Sequence, residues 1–303
     1  MIIENFADFC LACYVIVDDI CQQIEPLLKR PGPEPECSDS ELITIALVSE
    51  CRGWDTETEL RDYWAPYQAL FPQFPERSRF NRRRHNLAQA INVLRRVLLQ
   101  SLDLSQDRQC IIDSLPVPVV AFHLVPTSTG DWSAYGATFG KVASKKQTIF
   151  GYKLHLLTTM SGLILDFELA PANAPDLTVG AELLAEHTDL TVLGDKGYVS
   201  AAVANDLLDH NRVHLLALHR ANQHQQLPKN LTKLINKIRQ LIETVNGQLK
   251  DQFNVERNRA HNFYGLCARL YTKLTAHTLC IFINRMLGKS NFLHIKSLAF
   301  PNI

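Results

Sequence analysis

Residues 151–200 read GYKLHLLTTMSGLILDFELAPANAPDLTVGAELLAEHTDLTVLGDKGYVS, and this stretch decides the fold. Its first half holds two apolar, β-branched runs around Ser161-Gly162, the pattern of a β-hairpin. In the first run Tyr152, Leu154 and Leu156 alternate with Lys153, His155 and Leu157. A helical pattern starts near Asp176, which is assigned the helix N-cap. DLTVLGD then reads as a strand, SAAVANDLLDH as a helix and RVHLLALH as another strand. Upstream, QCIIDSLPVPVVAF is apolar and β-branched, with prolines that end any helix. Downstream, a long helical pattern runs from about Asn230 to Phe253. Strand, hairpin, helix, strand, helix, strand, helix mixes antiparallel pairing with βαβ crossovers. It predicts an α/β fold, a mixed sheet flanked by helices.

Residues 1–105 have a different texture and predict a separate helical domain, with the sheet and the C-terminal helices in 106–303. Ser38 and Glu41 form a capping box ahead of Leu42, Ile45, Ala46 and Ser49, which fall at helical spacing, and Gly53 ends the run. TETELRDYWAPYQALF gives a shorter helix interrupted near Pro66. From about Ser78 one long helix is expected, with Leu87, Ile91, Leu94 and Leu98 as its apolar stripe and arginines crowding its first turns. Three helices with a basic last one suit a helix-turn-helix-like module. Between Val125 and Thr148 the text is polar, Gly-rich and long for a loop. It reads as functional or mobile, with Trp132 and Tyr135 as exposed aromatics able to stack on bases.

The 303-residue chain is 46% hydrophobic and 20% charged, enough apolar text to bury a real core. No apolar run is long enough to cross a bilayer, which argues against a membrane partner. The N-terminus is rich in acids and makes a poor secretory signal, so a cytoplasmic location is expected. Eight cysteines include the pair Cys10 and Cys13 in C-x-x-C, with no second pair at zinc-binding spacing; buried, reduced thiols are the expectation. Net charge is zero, yet unevenly spread. Residues 229–289 hold eleven basic and three acidic side chains, a net +8, and RSRFNRRRH adds Arg77, Arg79, Arg82, Arg83 and Arg84. Two basic surfaces and a polyanionic partner follow, against the alternative of two solvated helix faces.

The chemistry starts from carboxylates at strand ends. Asp113 closes the strand CIID and Asp195 closes TVLGD. Side chains at the carboxyl ends of neighbouring strands converge on one edge of such a sheet. Two aspartates there suit a hard divalent cation. On the last long helix Arg239, Glu243 and Lys250 share one face, opposite Ile235, Ile238, Ile242, Val245 and Leu249. Taken alone, Glu243 with its basic neighbours reads as an i,i+4 ion pair on a wetted helix.

IIDSLPV, GYKLHLL, APAN, GDKGY and IETVNGQLK, in this order, resemble the DDE transposases of bacterial insertion sequences over residues 108–275. The resemblance implies an RNase H-like domain with two aspartates and a glutamate holding two Mg2+ ions, for which Mn2+ can substitute. Asp113 matches the first aspartate, Asp195 the second and Glu243 the glutamate, 48 residues after Asp195. Arg239, Glu243 and Lys250 match three members of a helical Tyr-Arg-Glu-Lys series; Asn236 stands at the tyrosine position, so that role is not carried over.

The implied activity is metal-dependent phosphodiester hydrolysis and strand transfer at the ends of an insertion sequence. Rivals are an RNase H-like nuclease without strand transfer, and a non-catalytic DNA-binding protein derived from a transposase. The implied partners are double-stranded DNA, as terminal inverted repeats and target, and a second copy of the chain in a synaptic homodimer. Arg239 and Lys250 on the glutamate's helix, and Arg82, Arg83 and Arg84 in the helical domain, are the expected DNA contacts. His155 is expected to be structural, and Lys153 a phosphate contact or a solvated strand residue.

Overall fold

A computed structural model of the chain describes residues 2–142, 147–217, 229–257 and 259–301, with the side chains of residues 104, 105, 229–237 and 239 left out. The chain forms two compact units. One comprises Met1–Leu102, Gln248–Val255 and Arg259–Ile303, the other Asp103–Gly247 and Glu256–Asn258.

The first unit opens with α1 (Phe6–Gln23) and the single turn α2 (Glu25–Leu28). The capping box then starts α3 (Asp39–Cys51) as the spacing predicts. Ser38 Oγ accepts from the Glu41 N–H at 3.1 Å, and Glu41 Oε2 accepts from the Ser38 N–H at 2.6 Å. Such a cap is worth about 1 kcal/mol. Nearly every side chain of α3 is buried, so it is a central helix without a polar face. After α4 (Leu60–Trp64), Pro66 lies in a 3-10 turn, Ala65–Tyr67. The long helix expected from Ser78 is two helices, α5 (Arg77–Asn86) and α6 (Ala88–Gln100). They meet at Leu87, which sits at φ −87°, ψ 0° where the arginine-rich text gives way to the apolar stripe, although its N–H still reaches the Arg83 carbonyl and its own carbonyl accepts from the Ile91 N–H. Leu87, Ile91, Leu94 and Leu98 are all buried.

The second unit is a six-stranded sheet. Its strands are β1 (Gln109–Val120), β2 (Thr138–Val142), β3 (Gln147–Thr159), β4 (Ile164–Pro171), β5 (Thr191–Gly194) and β6 (His214–Ala217). The path runs β2-β3-β1-β5-β6, with β4 also on β3. β3 is antiparallel to β1, β2 and β4, whereas β5 is parallel to both β1 and β6. This mixed α/β sheet is consistent with the RNase H-like arrangement. β1 pairs with β5 only through Gln109–Ile111, so Pro116 and Pro118 fall where its ladder is needed on one side alone. β2 is a strand that the polar text of 125–148 concealed; it lies on β3 at the sheet's edge. Trp132, expected to be exposed, is only 3% exposed, and the backbone carbonyls of Trp132 and Tyr135 accept from the Tyr152 hydroxyl. Ala143–Lys146 lie outside the described residues.

Helices α7 (Asp176–Ala185) and α8 (Ala201–Asn211) connect β4 to β5 and β5 to β6. They close a core over Cys110, Ile112, Leu157, Val192 and Leu215. Asp176 is not the N-cap of α7. Pro175 holds that place, and Asp176 is the first helical residue, with its carboxylate committed elsewhere. Helix α9 (Lys229–Asp251) carries the chain from the second unit back into the first, where α10 (Phe263–Met286) and α11 (Lys296–Ala299) follow. These last helices, grouped by sequence with the sheet, belong to the helical unit. All eight cysteines are free, and seven are buried. Among the described residues, no helix is long and apolar enough to cross a membrane.

Candidate active site

The last register pair of the parallel strands β1 and β5 is Ile111 with Leu193. Two residues further along stand Asp113 and Asp195. Asp195 follows the end of β5, whereas Asp113, expected to close CIID, lies inside β1, which runs on to Val120 along β3. The two residues therefore stand at matching positions just past the β1–β5 ladder. Residues two apart on a strand share a face. The face of Asp113 is marked by α9, because Asn246 Nδ2 donates to Asp113 Oδ2 at 2.9 Å. The face of the next residue, Ser114, is marked by α7, because Ser114 Oγ donates to Asp176 Oδ1 at 3.4 Å.

Asp195 caps the turn that follows β5. Its Oδ1 accepts from the Gly197 N–H at 2.7 Å, which fixes the carboxylate against its own backbone. The glycines of Gly194-Asp195-Lys196-Gly197-Tyr198 then have separate reasons. A β-carbon at Gly194 would lie 2.8 Å from Tyr198 Cβ, and one at Gly180 of α7 would lie 2.6 Å from Tyr198 Cε1. The tyrosine ring therefore fits only because both neighbours lack side chains. A β-carbon at Gly197 would lie 3.0 Å from Asp195 Oδ1 and 3.5 Å from Asp176 Oδ2, so these two carboxylates crowd one point. Tyr198 does not begin a helix; it closes a 3-10 turn, and α8 starts at Ala201. Burial, reinforced by the carboxylates of Asp176, Asp113 and Asp195, pushes its phenol far above the usual range.

Glu243 is exposed on α9, one turn before Asn246. Asn246 ties that segment of the helix to Asp113, but Glu243 is not drawn into a closed ligand set. Among the described residues, no group of three or more His, Cys, Asp or Glu side chains is gathered closely enough to hold a metal ion. The donor chemistry still suits a divalent cation. Asp113 and Asp195 offer hard carboxylate oxygens just past the β1–β5 ladder, and beside Asp113 the Asn246 Oδ1 is buried without a partner. An orphaned buried oxygen is costly unless something comes to it.

Sequence reasoning missed two residues here. Asn246 lies three residues after Glu243, on the same helical face, and that spacing was the available signal. Asp176 was set down as a cap. The structure instead turns its carboxylate to Lys153, which also donates to the Ala174 carbonyl. Lys153 is thus neither a solvated strand residue nor an open phosphate contact; its side chain is 18% exposed. His155 is fully buried behind it, as the structural expectation had it. Burial lowers its pKa to about 4, so the imidazole is neutral at pH 7.

The expected DNA contacts divide. Arg82 is exposed on α5, together with Arg77 and Arg79. Arg83 donates to Asp39 at 2.6 Å and to the Cys37 carbonyl at 2.7 Å. Arg84 is buried in an ion pair with Glu57, which also accepts from Arg269 at 3.0 Å. The basic text of 229–289 is likewise partly internal, since Arg269 and Lys273 are buried. Lys250 is exposed, and the side chain of Arg239 lies outside the described residues.

A comparison with curated proteins finds no match. The protein-family model described as "Transposase DDE domain" matches residues 108–263, just over half the chain. The match begins one residue before β1 and contains Asp113, Asp195 and Glu243.

Proposed function

The chain belongs to the transposase DDE domain family, and on that premise we propose that it is a DNA transposase that hydrolyses a phosphodiester at the ends of an insertion sequence and joins the exposed 3′-hydroxyl to target DNA. The observation that carries this reading is that Asp113 on β1 and Asp195 after β5 each stand two residues past the last register pair of these adjacent parallel strands, with Asn246 of α9 bonded to the first. Asp113, Asp195 and Glu243 are the proposed catalytic carboxylates, and Mg2+, as two ions, the proposed cofactor. Divalent ions bound there supply an activated water at neutral pH and charge stabilisation at the leaving oxygen.

The protein's own part is positioning. Asn246 holds Asp113, the Gly197 N–H holds Asp195, and α9 presents Glu243. Lys250 and Arg239 on α9, and the exposed arginines of α5, Arg82 first, serve the phosphates of the DNA. Such contacts would make binding fall steeply with salt. Synapsis of two ends requires at least two copies of the chain.

Asp113→Asn, Asp195→Asn and Glu243→Gln should each lower cleavage of end-containing DNA in Mg2+ by at least a thousandfold while binding to that DNA survives. Supplying pre-cleaved ends to the wild-type protein should yield joined products. Full cleavage by any of the three variants would remove that residue from the site. Cleavage without joining would identify a nuclease instead.

A further inference from the structure

We propose that Asp176 is a positioning residue of this site, fixing the part of β1 that carries Asp113 and the turn after β5 from the face of the sheet opposite Asn246. The proposal rests on the active-site reading above and extends it to a carboxylate outside the Asp-Asp-Glu set. Residues 113 and 114 are consecutive on β1 and face opposite ways. Asp113 turns to Asn246 and Ser114 turns to Asp176. A residue that holds Ser114 therefore holds the same stretch of strand that carries Asp113.

Asp176 reaches three elements. Its Oδ1 accepts from Ser114 on β1 and from the ammonium of Lys153 on β3. Its Oδ2 stands at Gly197, in the turn whose N–H holds Asp195. Lys153 is fixed in turn by the Ala174 carbonyl just before α7. The first turn of α7 favours a negative charge at that position through the helix dipole.

A second observation points into the same cluster. His155 lies on β3, opposite Ser114 in the register, and is 0% exposed. Its Nδ1 faces the Tyr198 hydroxyl at 3.4 Å, while Nε2 has no partner and stands 3.9 Å from Asp176 Oδ1. A fully buried ring nitrogen left open toward a carboxylate marks a network one short movement from closing. Closing it would join Tyr198, His155, Asp176 and Lys153 in one chain of hydrogen bonds. That chain would span β5's turn, β3 and α7 behind the catalytic edge.

Two readouts test this on the full-length protein. One is the Mn2+ concentration giving half-maximal cleavage of end-containing DNA. The other is Mn2+ bound to the protein–DNA complex in Ca2+-free buffer, read by electron paramagnetic resonance. Asp176→Asn keeps the side chain's shape and removes its charge. It should cleave at least tenfold more slowly and need several-fold more Mn2+ in both readouts, and Asp176→Glu should recover part of the loss. Lys153→Gln removes the partner from the other side and should move both readouts in the same direction, which decides the matter should Asp176→Asn not fold. Asp113→Asn runs alongside. If it is inactive while folded Asp176→Asn or Lys153→Gln matches wild type in both readouts, Asp176 has no positioning role. If Asp113→Asn itself cleaves, the active-site reading fails first.

Discussion

Tyr198 shows how much of this site is set by what its neighbours lack. The ring lies between Gly194 and Gly180, and each glycine leaves space that a single methyl group would fill. Gly194→Ala would put a β-carbon 2.8 Å from Tyr198 Cβ, which backbone on both sides cannot relieve by a rotamer change. Overpacking of this kind costs about 1–3 kcal/mol. Urea denaturation of Gly194→Ala should show a loss of that size together with reduced cleavage, because the displaced turn carries Asp195. An unchanged midpoint would mean that the turn adjusts freely. At this scale the sequence was readable where a residue ends a strand, as Asp195 does after β5. Asp113 was expected to close CIID, yet β1 runs on to Val120 because β3 continues to pair with it, and only the pairing with β5 stops short of Asp113. It was unreadable where two local roles compete for one residue type. An aspartate after Ala-Pro before a helix looks like a cap, and only the long-range contact with Lys153, 23 residues away, gives it another role.

Elements were legible where local periodicity and punctuation agree, as in the hairpin of β3 and β4 and the capped start of α3. They were hidden where tertiary pairing decides. β2 is a strand because β3 offers an edge to it, not because its text is apolar. The basic residues of α10 show the same limit. Charge spacing along the chain implied a surface, yet Lys273 is buried and paired with Glu50 at 2.5 Å, its side chain 4% and the glutamate's 3% exposed. Burial lowers the lysine's pKa, and the Glu50 charge opposes that shift. Lys273 also donates to the Phe253 carbonyl. Lys273→Met should cost roughly 3–5 kcal/mol, since it strands the Glu50 carboxylate without a counter-charge. Chemical denaturation is the check, with exposed Arg82→Ala as a control expected to fall within about 0.5 kcal/mol of wild type. Equal stabilities of the two variants would mean that the buried pair contributes nothing.

Across the whole molecule, the division of labour follows the chain's path. The sheet unit is assembled from residues 103–247 with 256–258, and α9 leaves it to enter the helical unit, which α10 completes. A boundary near residue 105 was visible as a change in texture, from helical stripes to β-branched runs. The return of the C-terminal helices to the N-terminal ones was not, because amphipathic helices do not announce which core they join. The central claim is that β1, the turn after β5 and α9 together form one metal-dependent DNA-cutting site. Iron-directed backbone cleavage tests it most directly: Fe2+ replaces Mg2+ in the protein–DNA complex, ascorbate and peroxide generate hydroxyl radicals, and the cut positions are mapped. The account predicts cuts near Asp113, Asp195 and Glu243 that are competed away by Mg2+ and lost in Asp113→Asn. Cuts confined to other segments, or cuts that persist unchanged in Asp113→Asn, would contradict it.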